Sequence, residues 1–178
     1  MSSTSPTGIF VYGTLRSDIE QHLVSDYNKI FNKNCVSKHA TLYNASMYFD
    51  GYYPFVVIDD DAAKTIYGLF VIPNESIDDK IKEADKIEGD LYERCIINIT
   101  ISETNEMVNA YIYIKSKIHI SDVIKLSSGN WLDYDKNTLV LDYLSMKYPE
   151  RDYTFLQKII ERSNGDIRLA NNLIKWNC

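Results

Sequence analysis

The run Cys95–Ser102 (CIINITIS) and the run Met107–Ile114 (MVNAYIYI) are separated only by Glu103-Thr104-Asn105-Glu106. Two β-rich, alternating segments joined by so short a polar linker favour an antiparallel pair. The same texture recurs upstream. Gly8–Tyr12 is a short β-rich run that ends at Gly13, and Thr41–Phe49 carries alternating apolar residues. Tyr53–Ile58 and Thr65–Ile72 flank the acidic turn Asp59-Asp60-Asp61 and read as a further antiparallel pair. Between the two pairs the period changes. Ile77, Ile81, Ala84 and Ile87 fall at i, i+4, i+7 and i+10, which predicts a helix over Ser76–Ile87 with one apolar face. Ser76 suits its N-cap, and Asp78 and Asp79 suit its first turn. A weaker helical pattern covers Ile19–Phe31.

After Trp131 the alternation stops. Thr138–Cys178 divides at Tyr148-Pro149 and at Asn164-Gly165 into three short helical patterns. Pro149 stops the first, Asn164-Gly165 ends the second as a C-cap, and Asp166 is placed to cap the third. The expected organisation is therefore a mixed, mainly antiparallel α+β domain over residues 1–134, followed by a separate three-helix region over 135–178.

Composition excludes several function classes. The chain of 178 residues sets 19 Lys and Arg against 25 Asp and Glu, a net charge of -6. That balance, with no basic stripe, argues against a nucleic-acid partner. Neither Asp59-Asp60-Asp61 nor Asp78-Asp79 has calcium-loop spacing. Cys35, Cys95 and Cys178 are far apart, and His22, His39 and His119 are isolated, so neither a disulfide framework nor a metal site is expected. Met1–Thr7 is Ser/Thr/Pro-rich without an apolar stretch, and no apolar run approaches the ~18 residues of a membrane span. A soluble protein of the reduced cytoplasm is expected, without membrane or cofactor.

The first chemically suggestive feature is Tyr12-Gly13-Thr14-Leu15-Arg16, where the opening strand runs into a turn. Gly13 removes a Cβ there, and the amides of Gly13, Thr14 and Leu15 could turn inward as a small anion-binding concavity. On the turn alone, a plain strand exit with Arg16 in solvent is the simpler reading. The turn is one of five pieces in order. The others are Tyr53-Pro54, Tyr67-Gly68-Leu69-Phe70, Ile87-Glu88-Gly89 followed by Tyr92-Glu93-Arg94, and Gly129-Asn130-Trp131. Together, from Gly8 to Trp131, they resemble the gamma-glutamylcyclotransferase-like superfamily, in the branch of plant avirulence-induced proteins and gamma-glutamylamine cyclotransferase.

The resemblance implies a β-barrel-like α+β domain with a cavity at one end. It implies cyclisation of a small gamma-glutamyl substrate, in which the α-amine attacks the γ-carbonyl to release 5-oxoproline and a free amine, with no metal or organic cofactor. Glu88, by its place before Gly89, matches the family's catalytic acid/base. Gly13, Thr14 and Leu15 would bind the α-carboxylate or the developing oxyanion, Tyr12 would line the pocket, and the hydroxyl of Tyr113 would reach it. Arg94 is expected in a structural ion pair and Trp131 in the core. Two departures stand out: only Gly89-Asp90-Leu91 precedes Tyr92, and Asn130 takes a place where an acid is common.

The tail resembles a CUE or UBA-like ubiquitin-binding module. Met146 and Pro149 would stand for the Met-Phe-Pro of the CUE pattern, stretched by one residue and without the phenylalanine, and Leu173 and Ile174 for its di-leucine. An alternative expectation follows: a non-catalytic protein that binds a small acid in the pocket, or ubiquitin or another protein through residues 135–178.

Overall fold

The computed structural model describes residues 5–21, 24–58, 64–115 and 122–176. Five strands close a barrel in the order β1-β5-β2-β6-β7. They are β1 (Ile9–Val11), β5 (Thr65–Pro73), β2 (Cys35–Tyr43), β6 (Tyr92–Ile101) and β7 (Met107–Lys115). All neighbours are antiparallel except β1 and β7, which meet in parallel at Ile9 and Tyr111. Closure leaves no free outer strand in this sheet. The hairpin expected from Cys95–Ser102 and Met107–Ile114 is β6–β7, with Asn98 opposite Asn109 and Asn105 in a left-handed conformation at its tip. A second sheet has the order β4-β3-β8, from β3 (Ala45–Phe49), β4 (Pro54–Ile58) and β8 (Ile124–Lys125).

Two strand expectations change. Thr41–Phe49 is not one strand. Asn44, at φ 57°, turns the chain between β2 and β3, a conformation that Asn tolerates better than most residues. Tyr53–Ile58 does not pair with Thr65–Ile72. Both edges of β5 are occupied, by β1 and by β2, and β4 folds back on β3 instead. The signal for that hairpin is Asp50-Gly51. One carboxylate oxygen of Asp50 accepts the amides of Tyr52 and Tyr53 at 2.8 Å each, an Asx turn. The acidic turn Asp59-Asp60-Asp61 lies outside the described residues, as do His22, His119 and Cys178.

The helix expected over Ser76–Ile87 is α2 (Ile77–Glu88), which buries Ile81 and Ala84. Ser76 holds the N-cap position, but its hydroxyl makes no cap bond. The helix also buries Lys80, whose ammonium donates to the Phe31 carbonyl at 2.8 Å and to Glu83 at 2.7 Å. Among the described residues of the weaker pattern over Ile19–Phe31, the α-helix is α1 (Asp26–Asn32), capped by the Ser25 hydroxyl.

The tail forms α3 (Lys136–Lys147), α4 (Tyr153–Ser163) and α5 (Ile167–Trp176). Asp135 and Asp152 cap the first two, Asn164 ends α4 in the left-handed conformation, and Asp166 accepts the amides of Arg168 and Leu169 at the start of α5. Val140, Leu144, Leu156 and Ile174 belong to the same core cluster as Phe10, Leu42, Phe49 and Ile112. Tyr143 meets Phe49 edge-on at 6.3 Å between ring centres, and the Arg168 guanidinium lies over Tyr52 at 5.8 Å. The helices thus pack on the β3–β4 turn.

Gly129-Asn130-Trp131 brings the chain back to the barrel. The Gly129 carbonyl accepts the Tyr67 amide at 2.9 Å. A Cβ on Gly129 would stand 1.7 Å from the Thr65 carbonyl oxygen, so no side chain fits there without moving backbone. Trp131, half-buried, stacks on Phe49 at 6.0 Å. We expect Gly129→Ala to lower unfolding free energy by about 2–3 kcal/mol, read from the urea midpoint.

Candidate active site

A cavity of about 480 Å³ opens where the β1 exit, α1, the end of α2 and the wall of β6 and β7 converge. That is within the ~300–1,000 Å³ of small-ligand sites. Most of its wall is apolar or aromatic, including Phe10, Phe31, Pro54, Ile87 and Tyr92. Among the described residues that line it, Glu88 is the one carboxylate. As the last residue of α2, Glu88 follows the face that buries Ile81 and Ala84 and is carried inward with it. It has no hydrogen-bond or ion-pair partner among the described residues. Burial alone pushes its carboxyl up to about 7, because the charged form loses water and gains no partner. At neutral pH such a group both accepts and returns a proton.

The turn after β1 forms another part of the wall. Its carbonyls are all engaged. The Gly13 carbonyl accepts the Arg16 amide at 3.1 Å, the Thr14 and Arg16 carbonyls accept the Asn28 side-chain amide at 2.8 Å each, and the Leu15 carbonyl accepts that of Asn32 at 2.9 Å. The backbone amides of Gly13, Thr14 and Leu15, by contrast, donate to no protein acceptor among the described residues. Three consecutive unpaired donors on a rigid turn suit an anion. Pro54 packs where a Cβ on Gly13 would stand, 2.7 Å away, so the turn and the β4 entrance fit only with glycine there.

The reading that leaves Arg16 in solvent fails. Its guanidinium is 4% exposed and grips Asp18 with two bonds of 2.8 and 2.7 Å, the Tyr67 carbonyl at 3.1 Å and the Asn130 side chain at 2.9 Å. The departure at Asn130 has a local account: its amide oxygen accepts a hydrogen bond from Arg16 while its nitrogen donates to Asp133 at 2.8 Å.

Tyr12 and Tyr113 both line the cavity and are linked to each other: the Tyr12 hydroxyl donates to the Tyr113 carbonyl at 2.8 Å. Burial, then Tyr92, then Glu88 raises the Tyr12 hydroxyl well above the usual tyrosine range. The Tyr113 hydroxyl donates to Asp85 at 2.6 Å, and Arg94 holds the same carboxylate with contacts of 2.7 and 2.6 Å. The Tyr113 ring therefore faces the cavity while its proton is committed to Asp85. Burial raises the Tyr113 hydroxyl first, and the bond to Asp85 adds to it.

Sequence reasoning did not place Tyr53, Tyr92 or Lys136 in the wall. The Tyr92 hydroxyl is raised by burial and next by Glu88, so it senses the glutamate directly. Among the described residues no group of three or more His, Cys, Asp or Glu could hold a metal ion, and no helix is long and apolar enough to cross a membrane.

Comparison with known proteins places the chain in a family. Residues 9–133 match the family described as "Gamma-glutamyl cyclotransferase, AIG2-like". The chain belongs to that family. No curated protein matches the sequence. Among solved structures, an Arabidopsis thaliana protein determined in solution is 19% identical, with 85% of this chain and 99% of that one covered at a TM-score of 0.53. An AIG2-like protein of Mus musculus is 15% identical, with 73% and 88% covered at 0.52. YkqA of Bacillus subtilis is 21% identical at 0.51, covering 83% of this chain but only 44% of its own length. At these identities the likeness is one of fold.

The matched family segment ends at Asp133, where the tail begins. Of the tail residues set against a ubiquitin module, Met146 and Pro149 are exposed and Leu173 is half-buried. Ile174 is fully buried in the shared core, so its side chain is not on offer to a partner.

Proposed function

We propose that this AIG2-like cyclotransferase family member forms 5-oxoproline from a gamma-glutamyl amine, with Glu88 as the general acid/base. The carrying observation is Glu88, a carboxyl without partners held near pKa 7 in a mostly apolar cavity beside three unpaired backbone amides. The Gly13–Leu15 amides hold the substrate's α-carboxylate. Glu88 removes a proton from the α-ammonium, and the freed amine nitrogen attacks the γ-carbonyl carbon. The bond between that carbon and the leaving nitrogen breaks as Glu88 returns its proton to that nitrogen, and the ring nitrogen gives up its second proton, which the released amine takes up as an ammonium. The products are 5-oxoproline and a free amine, and no water is consumed. Because both reacting groups belong to one molecule, holding it in a bent conformation supplies much of the acceleration. Tyr12 and Tyr113 act as wall, and the network of Tyr113, Asp85 and Arg94 keeps α2, and with it Glu88, in place.

The test is to incubate the protein with gamma-glutamyl-ε-lysine, gamma-glutamyl amino acids and glutathione and to assay 5-oxoproline. Turnover that survives Glu88→Gln unchanged would remove the assigned role. A non-catalytic binder of small acids uses the same amides but has no use for a raised carboxyl, so the glutamate favours the enzyme. The burial of Ile174 likewise favours a tail that packs on the barrel over one that docks ubiquitin.

A further inference from the structure

Among the described residues the cavity wall contains one ammonium group, Lys136, and it comes from outside the family segment. Lys136 is the first residue of α3 and its side chain is exposed. It forms no ion pair among the described residues, and its pull on Asp166 is the last of the influences on that carboxyl. Its position follows from packing. Tyr143 of α3 packs against Phe49 and fills the space over Gly51, and Arg168 of α5 covers Tyr52, so the helices sit on the turn that continues into Tyr53 and Pro54. Those two residues are also cavity wall. The tail thus brings a cation to a cavity whose described wall is mostly aromatic and apolar, opposite in sign to Glu88.

Resting on the cyclotransferase reading above, we propose that Lys136 is a specificity residue that pairs with a carboxylate on the leaving amine, so that the preferred substrates are gamma-glutamyl amino acids rather than gamma-glutamyl alkylamines. The turn amides of Gly13–Leu15 take the glutamyl α-carboxylate, which leaves the lysine for a second anionic group farther along the substrate. The bond being broken lies between the two anchors. Rim ion pairs of this kind are weakened by salt, which gives the contact a signature of its own.

Gamma-glutamylalanine and gamma-glutamylethylamide form a matched pair, because the leaving amines differ only by the carboxylate. With the full chain, the ratio of kcat/KM between them is expected to favour gamma-glutamylalanine and to fall about fivefold in Lys136→Met, through KM. Lys136→Arg is expected to keep most of the preference, and added salt to erode it in the wild type. An unchanged ratio in Lys136→Met overturns the proposal. So does an equal loss on both substrates, which would put the lysine on the glutamyl carboxylate. Absence of 5-oxoproline from both substrates in the wild type overturns the cyclotransferase reading, and this inference with it.

Discussion

Glu88→Gln is expected to cut 5-oxoproline formation by about 10²–10⁴-fold, the usual worth of a positioned general acid/base. Glutamine keeps the size of the side chain and its place at the end of α2, so the loss reports on the proton and not on packing. The effect should appear in kcat and kcat/KM alike, since the proton transfer belongs to the transition state. In the wild type, kcat/KM is expected to climb as pH passes about 7, where Glu88 ionises, and then level off. A glutamate at its ordinary value of 4.5 would give a flat profile across the same range.

The same substitution is expected to stabilise the fold at high pH, and the sign follows from the direction of the shift. In the unfolded chain Glu88 ionises near 4.5, in the folded chain near 7. Below 4.5 both states hold the proton and nothing is lost. Between the two values the unfolded chain releases its proton first, and the folded state loses stability as pH rises. Above 7 the loss is complete, up to about 3 kcal/mol for a shift of this size. Glutamine carries no such penalty. The advantage of Glu88→Gln over wild type in urea unfolding should therefore be larger at pH 8 than at pH 4.5 by up to that amount. An advantage independent of pH would mean that burial does not raise the carboxyl.

Local patterns in the sequence were most informative where a single strand pair or helix settles the geometry. The β6–β7 hairpin, α2 and the three tail helices are legible because their periods and caps sit within one short stretch. Partner choice between distant strands is not. Nothing near Thr65 says that both edges of β5 will be taken by β1 and β2, and nothing in Tyr53–Ile58 outweighs the Asp50-Gly51 turn that sends β4 back onto β3. The candidate site shows the same division. Glu88 and the Gly13–Leu15 turn stand out in the sequence because their motifs are contiguous. Tyr53, Tyr92 and Lys136 reach the cavity from three separate elements, and an isolated tyrosine or lysine carries no local mark of that role. Arg16 went unrecognised as an anchor because its partners, Tyr67 and Asn130, lie 51 and 114 residues away.

That anchor sets the second large effect. Arg16→Met is expected to lower the unfolding free energy by about 2–3 kcal/mol, the cost of leaving part-buried acceptors at Tyr67 and Asn130 without their donor. Methionine fills much of the space but satisfies none of the acceptors. Asp18 is pushed up by its burial, yet the hydrogen bonds and charge of Arg16 outweigh that and hold its carboxyl below the usual range. Without the guanidinium, Asp18 loses that compensation, and the Tyr67 carbonyl and Asn130 side chain each lose a donor. Arg16→Lys restores the charge but cannot reproduce a fork that spans Asp18, Tyr67 and Asn130, so an intermediate loss is expected. The damage should be local as well as global. Arg16 ties the turn bearing the Gly13, Thr14 and Leu15 amides to β5 and to the Gly129-Asn130-Trp131 segment, so amide exchange in the turn should quicken even under conditions where Arg16→Met remains folded. A variant within about 1 kcal/mol of wild type, with unchanged exchange at Thr14 and Leu15, would mean that Asn28 and Asn32 alone hold the turn.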